Sequence, residues 1–68
     1  MRILKRDVGR YCNVRYTDTG LVTGIIVDTD PSDRWVSVFL MGDRSVCKPD
    51  RSQIEKLGEY VMVPEDAI

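Results

Sequence analysis

Short apolar runs divide the chain, and none of them has the three-to-four-residue spacing of an amphipathic helix. They predict β-strands. Over residues 11–17, Cys12, Val14 and Tyr16 alternate with Tyr11, Asn13, Arg15 and Thr17, so the first set, Tyr16 included, turns inward and the polar set faces solvent. Asp18-Thr19-Gly20 follows as a turn, because Asp bonds amides ahead of it and Gly accepts a positive φ. The run 21–29 is apolar on both faces and carries Gly24 near its start. One reading is a bend or bulge at the corner of a small closed barrel. The other is a close approach to the backbone by a ligand or partner.

Residues 29–34 form a loop by their Pro and Asp content and lead into a third strand over 34–41. Val36, Val38 and Leu40 share one face of that strand, and Trp35, Ser37 and Phe39 the other. Gly42-Asp43 is a tight turn before a fourth strand, 44–48. Pro49-Asp50-Arg51-Ser52 starts one helical turn, capped by Asp50 or Ser52, with Ile54 and Leu57 inward. From Glu59, "EYVMVP" reads as the last strand, ended by Pro64, and residues 65–68 are expected to fray. The sum is an all-β domain over 1–68 with five strands and one short helical turn before the last of them.

At 68 residues there is room for one core only. Cys12 and Cys47 fit no zinc-ligand spacing, and the chain has no His; two thiols on separate strands read as core residues of a reduced intracellular protein. The start lacks a signal-peptide apolar core and no run approaches a membrane span, which leads us to expect a cytoplasmic protein without membrane contact. A net charge of −1 gives no global field for nucleic acid. Charge is uneven, however: Arg2, Lys5, Arg6, Arg10 and Arg15 stand against Asp7 alone in the first fifteen residues.

Catalysis finds little support, since neither Cys sits beside a base that would activate it. Asp28, Asp30 and Asp33 lack the remaining positions of a calcium loop and read as solvated acids; no phosphate loop, metal site or cofactor motif is present in the sequence. Five aromatic rings are the more informative set. If Val36, Val38 and Leu40 face the core, Trp35 and Phe39 share the outer face, with Tyr11 as a further member of an interaction surface. Alternatively, the N-terminal segment or the last strand covers that pair within the monomer.

The order of residues resembles small SH3-like, Tudor-like barrels, as in short phage-encoded proteins. The matching elements are Val8-Gly9, Asp18-Thr19-Gly20, Gly24-Ile25-Ile26-Val27, Trp35-Val36-Ser37-Val38 and Gln53-Ile54-Glu55-Lys56-Leu57, within residues 7–57. The resemblance implies a five-stranded barrel; fold alone does not assign function. Tudor-type relatives hold methylated Lys or Arg in an aromatic cage, for which Tyr16, Trp35 and Phe39 would be the candidates. Barrels that grip RNA or DNA do so with basic loops, and Arg10, Arg15, Arg44, Lys48 and Arg51 would serve. Asp18, Asp43 and Asp50 are interleaved with those residues and oppose that field. The reading that follows is a non-enzymatic module acting through protein contact, with another protein or a second copy of itself, and a nucleic-acid-binding barrel as the alternative.

Overall fold

Alternation in the first run and a Gly at φ +78° after the turn close a hairpin between β1 (Tyr11–Tyr16) and β2 (Gly20–Thr29). The computed structural model describes residues 3–16, 18, 20–32, 34–61 and 63. Three further strands follow, β3 (Val36–Leu40), β4 (Ser45–Cys47) and β5 (Ile54–Glu55), in one antiparallel sheet of order β4-β3-β2-β1-β5. Among the described residues the only helical turns are two 3-10 turns, Lys5–Asp7 and Arg51–Gln53. The second is closed where Gln53 Oε1 accepts the Asp50 amide at 2.9 Å. No helix among the described residues is long and apolar enough to cross a membrane.

The long β2 serves two neighbours in turn. Its residues Gly20 to Ile25 pair with β1, and Gly24 to Thr29 pair with β3. The irregularity expected at Gly24 instead lies at Val27, where the register with β3 shifts between Ile26 and Asp28. One extra residue reverses the alternation. Ile26 and Thr29 therefore both face the core, while Asp28 is exposed. Gly24 has a different role, close approach within the chain itself. A Cβ built there would lie 2.5 Å from Val38 Cγ1 and 2.9 Å from the Phe39 carbonyl oxygen. Only Gly leaves room for β3.

This close approach accompanies a strong curl. β1 and β4 are three strand spacings apart, about 14 Å in a flat sheet. Yet the Tyr16 hydroxyl and Cys47 Sγ are 3.4 Å apart. The sheet thus wraps its own core, built from Cys12 and Val14 of β1, Ile26 of β2, Val36, Val38 and Leu40 of β3 and Ile54 of β5. Ile3, 1% exposed, fills it from the N-terminal segment.

Two boundaries differ from the sequence reading. The last strand is Ile54–Glu55, paired to Val14 and Asn13, directly after the second 3-10 turn. The segment from Glu59 makes only a bridge between Tyr60 and Arg10, reinforced by the Val61 amide donating to the Gly9 carbonyl at 2.7 Å. Met62 and residues 64–68, which include the expected end of that strand and the tail, lie outside the described residues. At the other end, Asp7 is buried and accepts the Leu4 amide (2.9 Å) and Arg10 Nη1 (3.0 Å). The Leu4 amide, more than Arg10, holds its carboxyl below the ordinary value of 3.8 against the opposing effect of burial.

Gly24→Ala is expected to lower stability by about 2–3 kcal/mol, because the obstructing atoms include backbone that does not swing aside. Urea unfolding checks this as a lower midpoint at unchanged slope. A loss under about 0.5 kcal/mol would contradict the close approach. The Asp7 shift sets a pH dependence as well. Its folded value is lower than its unfolded one, so its contribution is complete above the unfolded value and lost as pH falls through the folded one. Wild-type stability should fall more steeply through this acid range than that of Asp7→Asn, as measured by denaturant midpoints against pH.

Candidate functional site

Curling brings the ends of several strands together at one mouth of the core. Tyr16 closes β1, Asp18 lies in the first hairpin, Val22 begins the inward set of β2, Leu40 ends β3 and Asp43 lies in the turn to β4. Together they line an open concavity of about 340 Å³. Val22, Leu40 and the Tyr16 ring supply apolar walls, and the two carboxylates supply negative charge. The Tyr16 phenol is pushed up to about 12, first by its hydrogen bond with Cys47, then by burial, then by the charges of Cys47 and Asp43. It stays a neutral hydroxyl in the physiological range.

Both cysteines are free, Cys12 buried and Cys47 half-buried. Burial, with a further contribution from Cys47, pushes the Cys12 thiol up to about 11. A thiol so raised is a packing group and a poor nucleophile. Among the described residues, no cluster of three or more acidic or thiol side chains is arranged to hold a metal ion.

The aromatic surface expected from β3 is corrected. Every residue of β3 is buried, Phe39 to 2% exposure, and Trp35 is half-buried. The physical reason is the row Tyr11, Ile25, Phe39, Val46 across the sheet, which packs side by side on the face opposite the core, with Ile25 itself 3% exposed. Tyr11 is half-buried in that row, with its Cβ close beside Gly58. An aromatic cage of Tyr16, Trp35 and Phe39 is not assembled either: Tyr16 belongs to the core face, Phe39 to the opposite face, and Trp35 precedes β3. Among the described residues, the exposed large apolar ones are Leu21, Met41, Val46 and Tyr60. Thr23, on the same face, separates Leu21 from Ile25 along β2.

The five basic candidates are each engaged by the chain. Arg10 donates to Asp7, to the Gly58 carbonyl (2.8 Å) and to the Leu57 carbonyl (3.4 Å), and its guanidinium lies 5.5 Å from the Tyr60 ring centre. Arg15 pairs with Glu55, while Arg51 Nη1 donates to the Ile3 carbonyl at 3.2 Å. Arg44 lies over the Phe39 ring at 5.8 Å and Lys48 over Trp35 at 4.5 Å. Nor do they form one stripe, since Arg44 and Lys48 flank the β4 edge, whereas Arg15 lies in β1 and Arg10 directly precedes it.

Of the loop acids, Asp28 is exposed as expected, and Asp30 differs. Asp30 is buried rather than solvated, accepting both the amide (3.1 Å) and Nε (2.8 Å) of Arg34. The Arg34 side chain, more than the backbone amides, holds its carboxyl below the usual range against the opposing effect of burial. Asp28 caps the Thr29 amide at 2.9 Å, and Asp33 lies outside the described residues.

Sequence reasoning missed the mouth. Asp18 and Asp43 are legible as turn formers and as acids opposing the basic residues, and nothing in their spacing from Tyr16, Val22 and Leu40 announces that curling unites them. No family model, curated protein or solved structure matches the chain.

Burial of Phe39 predicts that Phe39→Ala destabilises the monomer by about 3–5 kcal/mol, and Trp35→Ala by less. Thermal and urea unfolding at concentrations where the wild type is monomeric test the order. Equal, small losses would restore an exposed pair.

Proposed function

We propose that the protein is a non-enzymatic SH3-like module that works in the cytoplasm through protein contact, with another protein or with a second copy of itself. The observation that carries this reading is how the charges are used. The five cationic candidates for phosphate, Arg10, Arg15, Arg44, Lys48 and Arg51, are occupied within the chain, whereas the open concavity is rimmed by Asp18 and Asp43. A polyanion gains little from the first and is repelled by the second. Apolar walls in a concavity and exposed Leu21, Met41 and Val46 offer the desolvated surface that protein interfaces use. The resemblance to short phage-encoded barrels belongs to this proposal as well, since such barrels are modules of comparable size.

Affinity capture from a lysate of the cell in which the protein occurs, with nuclease treatment in one arm, tests this reading. A specific protein should remain bound after nuclease, or sedimentation should show self-association of the purified chain. Capture that vanishes with nuclease, together with sub-micromolar binding of the purified protein to DNA or RNA at physiological salt, would overturn it.

A further inference from the structure

Building on the contact reading, we infer that the concavity at the mouth of the sheet receives the cationic side chain of an arginine or lysine presented by the partner. Its walls and rim divide as such a side chain does. Val22, Leu40 and the Tyr16 ring supply apolar surface for a methylene stem, and Asp18 and Asp43 supply charge for its head. The aromatic wall adds a preference for cations over neutral groups of the same length.

A second observation sets these two carboxylates apart. Asp7, Asp30 and Glu55 are each paired, with Arg10, Arg34 and Arg15 respectively. Neither Asp18 nor Asp43 has an ion-pair partner among the described residues. The arginine next in sequence to Asp43 does not supply one; the Arg44 guanidinium lies over the Phe39 ring, on the face of the sheet opposite the concavity. Arg44 adopts φ +52°, a left-handed conformation uncommon for a non-glycine residue, as its chain leaves the turn. The two aspartates stand on different turns, and both line the concavity. Because the cage aromatics are not brought together, the head group is recognised by charge and hydrogen bonding, which favours the unmethylated form with its full set of donors.

The Tyr16 hydroxyl deepens the case. Bonded to Cys47 and held neutral, it adds no third negative charge and keeps the ring fixed as a wall. Ligands with phosphate or carboxylate heads would meet two like charges with no counter-charge from the lining.

Backbone amide shifts in a titration of the isotopically labelled full chain test the assignment. The probes are acetyl-Gly-Arg-Gly-amide and acetyl-Gly-Lys-Gly-amide, with the norleucine and glutamate peptides of the same length as controls, at millimolar concentrations. The Arg and Lys peptides should move the amides of Tyr16, Asp18, Val22, Leu40 and Asp43, and added salt should reduce the effect. The double change Asp18→Asn with Asp43→Asn should weaken binding about tenfold, because it removes two exposed charge interactions together. Both aspartates are exposed, so an unchanged amide spectrum in the free variant verifies that the fold is retained. If norleucine moves the same amides as strongly, or the cationic peptides move none of them, the inference is overturned. That result leaves the contact reading standing where capture survives nuclease. Loss of capture on nuclease treatment removes the contact reading independently.

Discussion

The absent side chain at Gly24 is the constraint on which the rest of the structure depends. Val38 and the backbone of Phe39 occupy the space a Cβ would need, so β3 lies against β2 more closely than any other residue at this position permits. Gly24 is also where β2 passes from one neighbour to the next, pairing with Cys12 on one side and Leu40 on the other. Close packing at that junction, with the bulge at Val27 just beyond it, lets the five strands enclose a core instead of forming an open sheet. The Tyr16–Cys47 contact is the sign of that enclosure.

Charged residues then act as fastenings for segments that lack regular pairing. Arg10 ties the turn at Asp7 to the carbonyls of Leu57 and Gly58, Arg51 reaches back to Ile3, and Arg34 closes the β2–β3 loop through Asp30. Exposed ion pairs contribute little to stability individually. Here they orient chain ends whose apolar residues, Ile3 above all, complete a small core. The same use of arginine within the chain leaves Asp18 and Asp43, at the mouth of the sheet, without ion-pair partners among the described residues.

Much of the fold was legible because β1 is a strict alternation and the turns are marked by Gly, Asp and Pro. Cys12 and Val14 inward, Tyr16 against the core, and a helical turn at Arg51 all follow from that pattern. Where alternation fails, legibility fails with it. Ile25, Ile26 and Val27 are apolar on both faces, so a reversal of parity at Val27 leaves no trace in the sequence. β3 has the same ambiguity, and whether Phe39 is covered depends on neighbours that only the sheet order supplies. The two residues of β5 are too few for any periodicity. Ile3 sits within a basic segment and was hidden by its charge. The mouth was invisible for another reason, since its five residues come from positions 16 to 43 and meet only through the curl.

Nuclear Overhauser effects in the unmodified protein examine that curl most directly. An enclosed core requires cross-peaks from the Tyr16 ring protons to the Cys47 β protons, joining β1 to β4, together with cross-peaks from a Val38 methyl to the Gly24 α protons. Strand pairing in the order β4-β3-β2-β1-β5 without either set of cross-peaks would describe an open sheet and contradict the enclosure.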